Sequence, residues 1–219
     1  MQKECPERQP SPELNRYDAL AYAQTFMPRF DCYPRQHTET GKYYITHHEV
    51  SMDLLRCHVS GKQHPELGYV TLGAYALDKN SRASWVCFDA DDDEEWQGLH
   101  RLARDLKQER VPSYLEPSRR GGHLWLFFPE PLPGRDARRF AKQLLWEQDL
   151  PTIEIYPKQD ELRTGPGSLV RLPLGIHWRS DPPKRYHFID LYGKPIAPTI
   201  REQLRLLANP ECVPSDNVS

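Results

Sequence analysis

No apolar run in this chain approaches the ~20 residues that a membrane-crossing helix needs. The opening residues, MQKECPERQPSPE, are polar and lack the apolar core of a secretory leader. Five cysteines is an odd number, and no two have CxxC spacing. Neither a disulfide framework nor a zinc site is therefore expected. A Walker A loop, a GxGxxG turn and a Ser-His-Asp signature are also missing. These absences exclude a membrane protein and set an expectation of a reducing, cytoplasmic setting.

What the chain has is length and an uneven charge. Its 219 residues allow one large domain or two small lobes packed together. With 38% hydrophobic and 27% charged residues, its composition is that of a folded chain rather than a disordered one. The net charge of −2 argues against a nucleic-acid partner until its distribution is considered. Residues 89–95 read DADDDEE, and without those six acids the rest carries +4. A mildly basic body around one acidic spot suits a divalent-cation site in a surface that attracts polyanions. The same run also suits the first turn of a helix, where carboxylates meet the positive end of the dipole.

A helix is expected from Ser11–Pro12, with Leu14, Tyr17, Ala21 and Phe26 on its apolar face. A second fits 47–59, opened by a Thr46–Glu49 capping box and closed by Gly61. YVTLGAYALD (69–78) and SWVCFDAD (84–91) read as a hairpin around DKNS. Residues 95–110 form an amphipathic helix, with Trp96, Leu99, Leu102, Ala103 and Leu106 on one face, and 135–148 form another. Between them SYLEPS (113–118) and GHLWLFF (122–128) make a second hairpin. TIEIYP (152–157), SLVRLPL (168–174) and YHFIDL (186–191) are strand candidates. A last helix starts at Thr199 with a capping box to Glu202. The sum is α+β, a mostly antiparallel sheet with helices on its faces.

Four clusters can carry chemistry. Strand alternation puts Trp85, Cys87, Asp89 and Asp91 on one face, and Val86, Phe88 and Ala90 on the other. Two carboxylates one strand step apart can jointly hold a hard cation. A calcium loop fails, because its sixth and twelfth positions must be Gly and Glu and are here Glu94 and His100. A lone DxD is shared by glycosyltransferases, phosphohydrolases and polymerases, and is equally a solvated strand end. SRRGGH (118–123) is a tight turn in which Ser118, Arg119, His123 and the backbone around Gly122 offer donors to a polyphosphate. An ordinary hairpin turn with solvated arginines is the plainer alternative.

In TIEIYPKQD, Glu154 shares a face with Thr152 and Tyr156. It is paired, holds a metal, or stands in water on an edge strand. Lys158 beyond it reaches a phosphate or solvent. Arg171 interrupts an apolar run and needs an anion, either a structural carboxylate or a nucleotide phosphate. Basic residues gather at Arg119–Arg120, Arg135–Arg139–Lys142 and Arg179–Lys184–Arg185, with Trp125, Trp146 and Trp178 nearby in sequence. That pattern suits single-stranded nucleic acid, or simply core packing.

The order of these clusters resembles the archaeo-eukaryotic primase superfamily, in the primase-polymerase form found in mobile elements, phage and defence or CRISPR-associated loci. The resemblance rests on a strand with FDAD, a hairpin with SxxGGH, a strand acid and an Arg-bearing strand. RFDCYPRQ, GKYYIT, TLGAYALD, EIYPKQD and SLVRLPLGIHWR add to it, from about Phe30 to about Arg179. It implies a primase-polymerase fold, an RRM-like antiparallel palm with an N-terminal α/β lobe. One catalytic domain of two lobes would span 13–208, between flexible tails at 1–12 and 209–219.

The resemblance further implies template-directed nucleotidyl transfer from NTPs or dNTPs on single-stranded DNA, in both primer synthesis and extension. Asp89, Asp91 and Glu154 match the carboxylates that hold two Mg²⁺ or Mn²⁺ ions, with Asp160 competing for the third place. Ser118 and His123 match an SxxxxH-type motif that contacts the incoming phosphates, and Arg171 a basic residue directed at the triphosphate. Arg119, Gly122 and Lys158 complete the implied nucleotide site. Tyr33 and Arg35 lie where the N-terminal lobe approaches the nucleotide, without an assigned role. No zinc knuckle is expected, and a helicase or other domains in a longer protein or operon are implied partners. Two other readings stand beside this one: a catalytically silent single-strand-binding module on the same fold, and another DxD metal enzyme such as a phosphohydrolase or glycosyltransferase. Six acids beside a phosphate backbone argue against the silent module.

Overall fold

The computed structural model describes residues 15–150 and 152–217. Helix α1 (Arg16–Phe26) opens on Asn15, whose side chain accepts from the N–H of Asp18 at 2.8 Å. Its buried stripe is Ala19, Tyr22, Ala23 and Phe26, an i, i+3, i+4, i+7 set, and Tyr17 faces solvent. The expected face is thus corrected, while the expected start at Ser11–Pro12, like Leu14, lies outside the described residues. Strands β1 (Tyr33–Gln36) and β2 (Tyr43–Thr46) pair antiparallel. Thr46 is committed to that ladder, opposite Tyr33, and does not cap a helix. Ser51 does so instead: its Oγ accepts from the N–H of Leu54 at 3.2 Å and starts α2 (Met52–Ser60). Gly61, at φ 73°, closes α2 as expected.

The stretches 69–78 and 84–91 contain strands β3 (Gly73–Tyr75) and β4 (Arg82–Ala90), but these do not form a hairpin. The N–H of Asp78 donates to the carbonyl of Arg82 at 2.8 Å, and beyond that turn the strands part. Alternation marks a strand without naming its partner, and here the partners lie in different sheets. After β4 come α3 (Asp93–Gln108), β5 (Tyr114–Pro117), β6 (Gly122–Pro133), α4 (Gly134–Glu147), β7 (Glu154–Tyr156) and β8 (Leu169–Arg171). β3 pairs with β8, and Leu72 just before it bridges to β1. β4 lies inside a four-stranded antiparallel sheet of order β5-β6-β4-β7.

Each face of that sheet covers a core. Val86, Phe88, Leu124, Leu126 and Ile155 pack under α3 and α4. Trp85, Cys87, Trp125, Phe127 and Tyr156 pack on the other side against α1, α2 and the β3–β8 pair. Short strands β9 (Ile176–His177) and β10 (Lys184–Arg185) follow, then α5 (Ile200–Leu207), which has the expected Thr199–Glu202 capping box. YHFIDL is not a strand: Ile189 only bridges to Leu115 and Pro195. The expected C-terminal tail is pinned at its start, where buried Val213 donates its N–H to the carbonyl of Phe127 at 2.8 Å. Among the described residues, no helix is long and apolar enough to cross a membrane.

Candidate active site

The register of the four-stranded sheet sets Asp89 opposite His123 on one side and opposite Glu154 on the other, with Glu116 opposite His123. Cross-strand neighbours share a face. Glu116, His123, Asp89 and Glu154 therefore form one polar row across all four strands. The row lies at the end of the sheet where β4 gives way to α3, on the same face as Trp85, Cys87 and Trp125. The alternation read from the sequence holds on β4, β6 and β7.

Glu116 is the residue that sequence reasoning missed. Its side chain is 0% exposed. Oε2 accepts from His123 Nδ1 at 2.8 Å and from Trp125 Nε1 at 3.4 Å, while Oε1 accepts from Arg171 Nη2 at 2.6 Å. The anion that Arg171 needs inside the fold is thus Glu116. On the far side of the ring, His123 Nε2 lies 3.4 Å from Asp89 Oδ1. Burial alone would lower the His123 pKa, but the two carboxylates outweigh it and raise it to about 9. The ring is therefore an imidazolium at neutral pH. Burial pushes the Glu116 and Asp89 carboxyls up, yet Arg171 and His123 hold Glu116 below the usual range, and chiefly His123 does the same for Asp89. Burial likewise opposes the Arg171 charge, and Glu116 more than restores it.

The outer carboxylates also carry cations. Asp91 Oδ1 is 2.5 Å from Arg120 Nη2, and Glu154 Oε2 is 2.7 Å from Lys158 Nζ. Tyr156 donates its hydroxyl to Glu154 at 3.3 Å. Exposure rises outward, from 25% at the Asp89 side chain to 49% at Glu154 and 59% at Asp91. Asp160 lies elsewhere, 2.5 Å from Arg138 on α4. The acidic run divides between its two readings. Asp89 stands in the polar row and Asp91 lies just beyond the end of β4, whereas Asp92 caps α3 by accepting from the N–H of Glu95 at 2.9 Å, with Asp93 and Glu94 in the first turn.

In the turn, the N–H of Ser118 donates to the carbonyl of Gly121 at 2.8 Å, and Ser118 Oγ accepts from the N–H of Gly121 at 3.3 Å. A Cβ on Gly121 would stand 2.2 Å from the Ala90 carbonyl oxygen, and one on Gly122 would stand 2.4 Å from the Trp96 ring. The glycines are demanded by the chain's own close approach. Arg119 is exposed. Burial first, then Arg171 and Arg119, lower His177 to about 4, so these groups share one electrostatic neighbourhood. The Tyr43 hydroxyl is pushed up by burial, with Arg171 opposing the shift and Glu116 adding to it. Tyr33 is core, and Arg35 lies over the Tyr44 ring at 4.9 Å. Of the tryptophans beside basic clusters, Trp125 is buried, Trp178 stacks on Tyr69 at 3.8 Å and Trp146 is exposed.

Oxygen donors of this kind suit a hard cation such as Mg²⁺ or Mn²⁺. Asp89 and Glu154, directly opposed across two strands, fit that role by position as well as chemistry. Among the described residues, no three His, Cys, Asp or Glu side chains are gathered as a cation cluster. Instead each carboxylate of the trio rests on its own cation: His123, Arg120 or Lys158.

A family model described as the archaeo-eukaryotic primase domain of the TOTE conflict system matches residues 45–218. Similar solved structures include the catalytic domain of primase RepB' in complex with initiator DNA. It is 14% identical, with 87% of this chain and 92% of that one covered and a TM-score of 0.46. Primase RepB' matches at 14% identity, with 87% of this chain and 61% of that one covered and a TM-score of 0.45. The polymerase domain from Mycobacterium tuberculosis ligase D in complex with DNA is 11% identical, with 92% and 85% covered and a TM-score of 0.40. No curated protein matches the chain.

Proposed function

The chain belongs to the archaeo-eukaryotic primase domain family of the TOTE conflict system, and on that footing we propose that it is a template-directed nucleotidyltransferase. It would join NTPs or dNTPs on single-stranded DNA, making primers and extending them. The observation that carries this reading is the row itself, with Asp89 set between His123 and Glu154 and Arg171 arriving from the facing sheet. Carboxylates and phosphate-directed cations stand side by side at one open sheet end.

Asp89, Asp91 and Glu154 would hold two Mg²⁺ or Mn²⁺ ions, which supply charge stabilisation to the attacking and leaving oxygens. Arg171 and the His123 imidazolium offer fixed donors to the triphosphate, where negative charge grows as the pyrophosphate leaves. Arg120 and Lys158, on long side chains, reach phosphate when Asp91 and Glu154 serve as ligands. Ser118 and Arg119 line the turn on the same side. Gly122, packed on Trp96, holds that turn against β4. The two lobes act as one catalytic unit, and a helicase or other domains of a longer protein or operon would supply the template strand.

A gel assay tests this. Labelled nucleotides and Mn²⁺ are supplied with single-stranded DNA, with and without a primer. Products whose sequence follows the template, and which vanish in Asp89→Asn, support the reading. Tight binding of single-stranded DNA with no product from the wild-type chain would make it a silent binding module. Nucleotide turnover that ignores the template would place it with other DxD enzymes.

A further inference from the structure

We propose that Glu116 is a positioning residue for the phosphate grip: from its buried place in the polar row it stations His123 and Arg171, the two side chains that meet the triphosphate. This rests on the nucleotidyltransferase reading and names a residue which that reading does not use.

Burial defines the role. The Glu116 side chain is 0% exposed, against 7% for His123 and 8% for Arg171. A carboxylate with no surface cannot touch a ligand, so whatever it does for the reaction passes through its partners. Its oxygens are divided between them: Oε2 takes His123 Nδ1, and Oε1 takes Arg171 Nη2. Trp125 Nε1 adds a third donor, so the carboxylate is held in one orientation. The contact at Nδ1 fixes the imidazole plane and turns Nε2 outward to Asp89.

Arg171 shows the same economy. Its guanidinium has five N–H donors. Among the described residues it donates to Glu116 and to the carbonyl of Leu172 at 3.4 Å. The other donors have no acceptor among the described residues and remain for an anion. Charge explains why a carboxylate is needed. Arg171 bears on its neighbours in this way: after burial, it is the next cause that depresses both His58 and His177. Arg171 and a protonated His123 held together without an anion would repel each other and swing toward water. A buried anion between them keeps both in place, with the remaining Arg171 donors left for a phosphate.

The plainer rival is that Glu116 and Arg171 only tie the two sheets together. Glu116→Gln keeps the shape and removes the charge, whereas Glu116→Asp keeps the charge and withdraws it by one methylene. Primer extension against nucleotide concentration gives KM and kcat, and calorimetry with inorganic triphosphate reads the grip without any polymerase activity. Melting temperature is taken on the same samples. Both variants are expected to raise the nucleotide KM about ten- to a hundredfold. They should weaken inorganic triphosphate in step, with a smaller effect on kcat and single-stranded DNA affinity within a few-fold.

A lowered melting temperature with unchanged KM and triphosphate affinity overturns the proposal and leaves the polymerase reading intact. A wild-type chain that neither extends a primer nor binds triphosphate overturns both. Should Glu116→Gln fail to fold, the double variant Glu116→Gln/Arg171→Met removes the buried charge together with its partner. It is then compared with Arg171→Met alone. The double variant should bind triphosphate more weakly, because His123 has lost its anchor as well, and equal affinity would refute the positioning role.

Discussion

Asp89 and Glu154 are direct cross-strand partners in the β4–β7 ladder, although they come from distant parts of the chain. Like charges set opposite each other in a sheet repel. The pair persists because each side chain has a cation, His123 for Asp89 and Lys158 for Glu154.

Removing either DxD carboxylate is expected to abolish synthesis. In Asp89→Ala or Asp91→Ala, template binding should stay within a few-fold, since a charge that repels the phosphate backbone is lost along with the metal ligand. Extension gels beside a fluorescence binding titration separate the two effects. Undiminished synthesis in either variant would end the polymerase assignment as drawn.

The third acid has a paired test. Glu154→Gln should cut the rate severely, and Asp160→Asn should leave it nearly unchanged, because Asp160 engages Arg138 on α4 rather than the row. Single-turnover rates at saturating Mn²⁺ decide the matter. A severe loss in Asp160→Asn would mean that the 158–165 loop rearranges to bring its carboxylate in.

Two histidines shape stability against pH with opposite signs. His58 is fully buried, accepts the N–H of Leu72 at Nδ1 and donates from Nε2 to the carbonyl of Leu172. Burial, then Arg171, depress its pKa from 6.5 to about 4. Its stabilising share is complete above about 6.5 and is lost as pH falls through about 4, on the order of 3 kcal/mol. His123 has a raised pKa of about 9. Its share is complete below about 6.5 and is lost as pH rises through about 9. Melting temperature should thus peak near pH 6.5. His58→Asn should flatten the acid limb and His123→Gln the alkaline one, and a limb that keeps its slope in the matching variant would count against that assignment.

The glycines of the turn give a structural test. Gly121→Ala places a methyl against the Ala90 carbonyl, and Gly122→Ala places one against the Trp96 ring. Each should cost about 1–3 kcal/mol by overpacking, read as a lower melting temperature. Gly121→Ala should be the worse, because a backbone carbonyl yields less than a side chain. Equal stability to wild type would show that the turn lifts off β4 without cost.

The parts of the site legible in the sequence are those that follow from alternation along one strand. Asp89, His123 and Glu154 declare their faces through Cys87, Trp125 and Tyr156 two residues away, and those faces are as expected. What alternation cannot supply is register. Glu116 and His123 meet only because β5 and β6 pair Glu116 with His123 rather than a neighbour, and nothing in SYLEPS alone marks its glutamate as buried. The false hairpin of 69–78 with 84–91 has the same origin: Asp78 makes the expected tight turn, but β3 finds β8 and β4 finds β6. Capping errors have a different cause. Thr46 and Ser51 are both good caps, and the strand pairing of Thr46 with Tyr33 decides between them.

The core beneath the row has a consequence for any attempt to cut the chain. Trp85, Trp125 and Phe127 of the four-stranded sheet share one cluster with Phe26, Leu55, Leu72 and Leu172 from the N-terminal lobe and the β3–β8 pair. The chain crosses between the two sides repeatedly, since β3 precedes the palm strands and β8 follows them. A fragment ending before Leu169 would strip β3 of its partner and leave the face of three large aromatics incompletely covered, a surface prone to clump rather than fold. Arg171 would be absent as well, so the buried Glu116 would be left without its arginine. The β3–β8 pair therefore closes only after the whole four-stranded sheet between them has been made.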